Sequence, residues 1–138
     1  MIAVDTSALM AVFLDEEDSE WYSGILATEP HVCISVATLL ECTLVLQGKL
    51  GDDGERLLSS YLEDQKPEQV RVDHEQLAVA RLAARHFRRG RHPAGLNFGD
   101  CFAYALARAR NVPLLFKGDD FSMTDVRVVT APDLKPSK

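Results

Sequence analysis

Three carboxylates stand apart from the other acids of this chain because apolar residues surround each of them. Asp5 is the only charged residue in the first fourteen positions. Glu41 is the only formally charged residue of HVCISVATLLECTLVLQG, and Asp100 is the only one of HPAGLNFGDCFAYALA. A carboxylate among apolar side chains is costly to bury unless it is paired, hydrogen-bonded or bound to a cation. The pattern therefore indicates a built site rather than ordinary surface charge.

The positions of these acids suit a parallel sheet that gathers them at one edge. Asp5 ends a predicted strand, at the sheet edge where open α/β folds bind ligands. Asp100 begins a predicted helix, with Asn97 as a candidate N-cap, and Asp119 and Asp120 follow another predicted strand. Converging carboxylates repel one another unless a cation holds them. Hard divalent ions with oxygen ligands, Mg²⁺ or Mn²⁺, fit such a site.

Each acid also has a purely structural interpretation. Asp5 could cap the helix that starts at Thr6, and Asp100 could be a favourable charge in the first turn of its helix. Glu41 lies in the middle of a predicted helix, where no cap is needed, so its structural alternative is an exposed position on a mostly buried helix. The GDD sequence that contains the last two acids could be a polar turn.

The alternation of strands and helices predicts the fold class. IAVD, HVCIS, EQVRVD, VPLLF and VRVVT are typical of strands, and the segments between them are typical of helices, including the long HEQLAVARLAARHFRRG. This order indicates an α/β fold, a three-layer α/β/α sandwich with a central parallel sheet.

The composition is that of one ordinary globular domain. The chain has 138 residues, 46% hydrophobic and 26% charged, with a net charge of −6. We expect a single domain over residues 1–138, with a core of about residues 1–130 and a short C-terminal tail. The sequence has neither a membrane-length apolar run nor a signal peptide, so we expect a cytoplasmic protein with no membrane contact. Three scattered cysteines predict buried, reduced thiols.

Four segments together resemble a known family. IAVDTSALMAVFLDEE, ISVATLLECTLVL, HPAGLNFGDCFAYALA and LLFKGDDFSMTDV occur in the order and at the distances typical of PIN-domain ribonucleases, and more narrowly of the VapC-type toxins of toxin–antitoxin pairs. The resemblance extends to about Val129. It implies a PIN-like fold and metal-dependent endonucleolytic cleavage of RNA, with Mg²⁺ as the cofactor and Mn²⁺ as the alternative.

The resemblance also implies roles for the acids. Asp5, Glu41 and Asp100 match the acidic triad of the family, and a fourth acid falls within KGDDF. We favour Asp119 for that position and keep Asp120 as the alternative. Asp5 and Asp100 would hold the metal, while Glu41 and the fourth acid would bind a second ion or orient the attacking water.

Further residues and partners follow from the same resemblance. Ser7 matches a small polar position that hydrogen-bonds near the metal. A homodimer is expected, together with a cognate antitoxin whose C-terminal segment places a cationic side chain in the acidic pocket. Basic residues that could contact RNA phosphates, or else form a solvated helix face, precede the Asp100 loop or lie beside the fourth acid: Arg81, Arg85, Arg88, Arg89 and Lys117.

Other classes of protein fit less well. A phosphatase of the haloacid type needs a second Asp two residues after the first, where this chain has Ser7. A receiver domain needs an Asp at the end of a middle strand, but HVCIS ends in Ser35. No G-x-G-x-x-G follows the first strand, which disfavours a dinucleotide-binding enzyme. The main alternative is a non-catalytic PIN-like module that binds RNA or protein; such a module is expected to have lost an acid, and none is missing.

Overall fold

The computed structural model describes residues 1–129. The C-terminal tail expected beyond about residue 130 lies outside these described residues. The elements follow in the order β1 (Ile2–Val4), α1 (Thr6–Phe13), α2 (Ser19–Thr28), β2 (Val32–Ser35), α3 (Val36–Leu50), α4 (Asp52–Gln65), β3 (Glu68–Val70), α5 (His74–Phe87), α6 (Phe98–Arg110) and β4 (Leu114–Leu115).

Within residues 1–129 the four strands form one parallel sheet in the order β3-β2-β1-β4. Ala3 pairs with Cys33 on one side and with Leu114 on the other, so β1 is an inner strand. The chain moves outward from β1 through β2 to β3 and then returns to the opposite side of β1 with β4. The strand order therefore reverses between β1 and β4, which is the position where open α/β sheets bind ligands.

Helices cover both faces of this sheet. Ile2 and Val4 point into a core with α1 to α4, where Leu9 is fully buried. Ala3, between them in the strand, points into a second core with α5 and α6, which includes Leu106. Successive residues of a strand face opposite sides, which explains this division. The prediction of a three-layer α/β/α sandwich with a central parallel sheet is confirmed.

The last predicted strand is wrong over the residues that the structure describes. Val126 to Val129 do not form a strand and meet the sheet through a single bridge between Leu114 and Val128. The N–H of Leu114 donates to the carbonyl of Arg127 at 2.8 Å, and that of Val129 donates to the carbonyl of Leu114 at 3.0 Å. Since β4 has only two residues, it cannot form a longer series of backbone hydrogen bonds with this segment.

Helix α5 ends three residues earlier than the sequence pattern predicts. Arg88 is extended and forms a bridge with Leu96. The N–H of Leu96 donates to the carbonyl of Phe87 at 2.8 Å, and the N–H of Arg89 donates to the carbonyl of Leu96 at 3.0 Å. These bonds replace helical ones, so Arg88 and Arg89 do not continue the helical face of the two arginines before them.

The state of the three cysteines agrees with the prediction from the sequence. Cys33, Cys42 and Cys101 are buried and free, as predicted. No helix within residues 1–129 has the length and apolar character needed to cross a membrane.

Candidate active site

Asp5 lies where β1 ends and α1 begins. Its Oδ2 accepts hydrogen bonds from the N–H of Ser7 at 3.0 Å and from the Ser7 hydroxyl at 2.7 Å, so it caps α1. The cap occupies only one carboxylate oxygen. Oδ1 is buried and has no hydrogen-bond partner within residues 1–129, and the residue is only 3% exposed. A buried acceptor without a donor is unfavourable, and a cation would satisfy it.

Ser7 links Asp5 to the segment that follows β4. The Ser7 hydroxyl accepts a hydrogen bond from the N–H of Lys117 at 2.8 Å while it donates to Asp5. The Lys117 ammonium pairs with Glu16 at 2.5 Å and with Asp18 at 2.9 Å. Lys117 is therefore engaged with acids of the α1–α2 connection, and its contact with RNA remains a prediction.

Glu41 reaches the same edge of the sheet from α3. The hydroxyl of Thr6 donates to its Oε1 at 2.5 Å, which connects it to the first residue of α1. Its carboxylate also lies against the first turn of α6, because a Cβ added to Gly99 would be 2.2 Å from Oε2. The N-terminal ends of two helices thus lie beside this carboxylate, and their dipoles favour its negative charge.

Asp100 is the third residue of α6 and completes a capping box. Its Oδ2 accepts a hydrogen bond from the N–H of Asn97 at 3.0 Å, and the side-chain carbonyl of Asn97 accepts one from the N–H of Asp100 at 2.9 Å. The expected N-cap at Asn97 is therefore confirmed. Asp100 is 7% exposed, so the capping box holds a carboxylate that is nearly buried.

The electrostatics of the acids are those of a crowded anionic site. Burial raises the pKa of Asp5 to about 6, and the nearby carboxylate of Glu41 adds to the rise. Burial raises the pKa of Asp100 to about 8, with further contributions from Asp5 and Asp120, while hydrogen bonds in the helix caps oppose both shifts. Without a cation Asp100 therefore retains a proton at neutral pH, which metal binding would displace.

The structure places Asp120, rather than Asp119, beside Asp100. Asp120 is partly buried, and its carboxyl lies near enough to Asp100 to raise the pKa of that residue. Asp119 is exposed, and its carbonyl accepts a hydrogen bond from the hydroxyl of Ser122 at 2.9 Å. Phe121 is 1% exposed and draws the preceding residue toward the core. We therefore revise the preference for Asp119 and take Asp120 as the candidate fourth acid.

The donor set suits a hard divalent cation. Within residues 1–129, no group of three or more His, Cys, Asp or Glu side chains is already close enough to enclose a metal ion. Instead the acids interact in pairs, which join Asp5 to Glu41, Asp5 to Asp100, and Asp100 to Asp120. All the donors are carboxylate oxygens, and the unpartnered Oδ1 of Asp5 is directed into the protein rather than to solvent. These residues fit Mg²⁺ or Mn²⁺.

The end of α5 that carries the arginines meets the segment before α6. Arg81, Arg85, Arg88 and Arg89 are exposed, and none of them forms an ion pair within the described part of the chain. The backbone bridge to Leu96 brings their end of α5 to the residue before the α6 cap. The structure therefore brings Arg88 and Arg89 near the start of α6, the helix that carries Asp100.

Sequence reasoning missed an apolar face beside Glu41, which comprises Val36, Leu40, Leu44, Phe98 and Phe102. Phe98 is 82% exposed, and Leu40 and Leu44 are about 60% exposed. The face contains a groove of about 300 Å³ that is also lined by Glu41 and Gly99. The spacing of four residues between its members was the available signal, but it is shared with buried helical residues.

Comparison with known proteins agrees with this geometry. The family model for the PIN domain matches residues 2–126. Ribonuclease VapC of Mycolicibacterium smegmatis is 45% identical over 128 residues, which are 93% of this chain and 99% of that protein. Ribonuclease VapC30 of Mycobacterium tuberculosis is 41% identical over 131 residues, which are 95% of this chain and 100% of that protein. The chain therefore belongs to the PIN domain family. Within that family its relatives are VapC ribonucleases.

Solved structures share the fold. VapC20 of Mycobacterium tuberculosis, described as a toxin that cleaves the sarcin–ricin loop, has a TM-score of 0.77 and 20% identity, with 94% of this chain and 98% of that chain covered. VapBC2 of Rickettsia felis, bound to a DNA fragment from its promoter, has a TM-score of 0.72 and 17% identity, with the same coverage. At these identities the likeness establishes the fold.

Proposed function

We propose that this chain is a VapC-type ribonuclease toxin that hydrolyses RNA phosphodiester bonds with a divalent cation held by its buried carboxylates. The observation that carries the proposal is the buried Oδ1 of Asp5, which has no partner within residues 1–129 and lies in a site with Glu41 and Asp100. The two helix caps leave this oxygen unexplained. Identity of 41–45% to VapC ribonucleases over most of the chain supports RNA as the substrate class.

The chemistry follows from the carboxylates. Asp5 and Asp100 would hold the cation, with Mg²⁺ expected and Mn²⁺ as the alternative. A bound cation of this kind lowers the pKa of a water ligand and screens the charge of the scissile phosphate. Glu41, which accepts a hydrogen bond from the Thr6 hydroxyl, would bind a second ion or orient the attacking water. Asp120, which lies near Asp100, would be the fourth carboxylate of the site.

The exposed arginines would supply what an acidic protein needs to hold RNA. Their guanidinium groups can contact phosphates and position the backbone without reading its sequence. Since α5 leads to the loop that enters α6, RNA bound along this segment would reach the acids. We place this activity in the cytoplasm, where cellular RNA is available to a bacterial toxin of this kind.

The test is cleavage of a total-RNA pool by the purified protein with Mg²⁺, with Mn²⁺ and with chelator. We expect discrete fragments only when metal is present. Asp100→Asn should abolish them, while Asp64→Asn, an exposed acid on α4, should leave them unchanged. Cleavage that persists in Asp100→Asn or in chelator would refute the proposal. Absence of cleavage under every metal would favour the non-catalytic PIN-like module.

We also propose that the chain forms a homodimer through the apolar face. Phe98 protrudes next to a groove on the same face, so two copies related by a two-fold axis can each insert this ring into the other. Light scattering should give the mass of a dimer for the wild type and of a monomer for Leu44→Glu. Leu57→Glu, at an exposed position on α4, is the matched control and should remain a dimer. A monomeric wild type would contradict the dimer.

The remaining proposed partner is a cognate antitoxin. Solved structures that share the fold include toxin–antitoxin complexes from Klebsiella pneumoniae and Salmonella typhimurium. Burial raises the pKa of Asp5 and of Asp100, and a positive charge placed beside them would stabilise their ionised forms. A lysine or arginine of the antitoxin placed there would satisfy the acids and exclude the cation. Adding the antitoxin should therefore suppress cleavage, and excess metal should partly restore it.

A further inference from the structure

The loop that carries Asp120 contacts α6 through a residue further along the chain, Asp125. This acidic loop, residues 117–126, follows β4. The Tyr104 hydroxyl donates a hydrogen bond to Oδ1 of Asp125 at 2.5 Å, and Arg108 lies 3.8 Å from Oδ2 of the same residue. Tyr104 is one helical turn after Asp100 on α6. The helix that presents Asp100 thus also holds the far end of the loop that presents Asp120.

The part of the loop between Asp120 and Asp125 forms a tight turn. The N–H of Thr124 donates to the carbonyl of Phe121 at 3.0 Å, and the Thr124 hydroxyl donates to the same carbonyl at 2.7 Å. The Phe121 ring is buried and packs edge-on against Phe116, with ring centroids 5.1 Å apart. A displacement of Asp125 would therefore be passed along the turn toward Asp120.

The Tyr104 hydroxyl can be removed without creating a cavity in the core. Tyr104 is 4% exposed, and its ring packs against Phe87. Burial raises the pKa of Tyr104 to about 12, with the Asp125 carboxylate adding to the rise, so the hydroxyl remains a donor at neutral pH. A phenylalanine would fill the same space, which makes the hydroxyl testable apart from the packing.

We propose that Tyr104 and Asp125 are positioning residues that hold the acidic loop against α6 and so set the spacing between Asp120 and Asp100. This inference rests on the proposed function, because the spacing matters only if these acids bind a cation. Outer partners of metal-ligand groups commonly affect metal affinity in this way without touching the metal. Neither residue was singled out by the sequence pattern.

The test is Tyr104→Phe, with Asp125→Asn as a second variant at an exposed position. Tyr61→Phe is the matched control, since Tyr61 is a half-buried tyrosine on α4 whose ring packs against Phe13. Metal binding is measured without RNA, as the midpoint of a calorimetric titration with Mn²⁺. The Mg²⁺ concentration for half-maximal RNA cleavage is measured separately.

Both variants should raise these two midpoints about tenfold, whereas Tyr61→Phe should not change them. Cleavage by Tyr104→Phe and Asp125→Asn should approach the wild-type rate at saturating metal. Unchanged midpoints, with or without a lower Tm in chelator, would assign the pair a structural role only and overturn the inference. Failure of the proposed function is distinguishable, because the wild-type protein itself would then show no binding of Mn²⁺ in the titration.

Discussion

Gly99 leaves the space that the carboxylate of Glu41 occupies. A Cβ at this position would lie 2.2 Å from Oε2 and 2.5 Å from both Oε1 and Cδ. No atom pair tolerates such distances, so any other residue at position 99 must displace Glu41 or move α6. The requirement is for space rather than for an unusual backbone conformation, since Gly99 lies within a regular helix.

We therefore expect Gly99→Ala to reduce RNA cleavage by at least about tenfold, since a displacement near 1 Å can cost more than that. The variant should still fold, because alanine is more favourable than glycine in a helix by about 1 kcal/mol. Cleavage rate and Tm are measured together. Gly48→Ala is the control, since a Cβ there meets nothing within 4 Å. Wild-type cleavage by Gly99→Ala would show that Glu41 is not needed at this position.

The two neighbouring acids of the loop give a second prediction for single residues. Asp120→Asn should lower cleavage by about a hundredfold, because loss of a metal-site partner costs 10–100-fold in affinity or activity. Asp119→Asn should leave cleavage unchanged, because Asp119 is exposed. The two variants differ by one position in the chain and carry the same change in charge. The reverse ranking would restore Asp119 as the fourth acid.

At the scale of elements, two helix N-termini meet at the carboxyl edge of the sheet. Asp5 is the N-cap of α1, and Asp100 lies in the first turn of α6 as part of its capping box, so the structural interpretations of both acids are correct and coexist with the site. A helix cap fixes the side chain of the capping residue to its own backbone. The fold thereby holds two carboxylates close together at the switch point between β1 and β4, where repulsion would otherwise separate them.

The arginine segment makes a prediction that belongs to α5. Arg81→Glu with Arg85→Glu should raise the KM for RNA several-fold at low salt, because each lost phosphate contact weakens binding in a salt-dependent way. The difference from wild type should shrink as salt rises. Metal-induced stabilisation should be unchanged, since Arg81 and Arg85 form no ion pair with the acids within residues 1–129. An unchanged KM at low salt would show that Arg81 and Arg85 belong to a solvated helix face and do not bind RNA.

Local sequence predicted these elements where their causes are local. The isolated acids were recognisable because burial of an unpaired charge is costly whatever the fold. The choice between Asp119 and Asp120 depends on Phe121 and on a contact between Tyr104 and Asp125, 21 residues apart, which no local pattern contains. The end of α5 depends likewise on the bridge from Arg88 to Leu96. Tertiary pairing overrode helix propensity there.

At the scale of the whole molecule, the acids make stability depend on pH. The folded-state pKa values of Asp5 and Asp100, about 6 and about 8, exceed their ordinary value of 3.8. The folded protein therefore binds more protons than the unfolded chain between pH 4 and 8, and the free energy of unfolding falls as pH rises through this window. The lowered pKa of Glu68, about 2, acts in the opposite sense only below about pH 4.5.

In chelator, Tm should therefore decrease from pH 5.5 to pH 8.5, by several degrees if the loss is on the order of 2 kcal/mol. Mn²⁺ should raise Tm at pH 8.5 and have little effect at pH 5.5, because protons compete with the cation at the lower pH. Asp100→Asn should flatten the dependence on pH, since it removes the group with the larger shift. A Tm that rises with pH in chelator would contradict the burial of charge at this site.

The measurement that tests the central claim most directly is calorimetric titration of the metal-free protein with Mn²⁺ at pH 8. We expect saturable binding to the wild type and to Asp119→Asn, and loss of binding in Asp5→Asn. Asparagine caps a helix as well as aspartate does, so Asp5→Asn should keep the fold while it removes the charge at the unpartnered oxygen. Equal binding by Asp5→Asn and wild type, or no binding by either, would contradict the assignment of this carboxylate cluster as a metal centre.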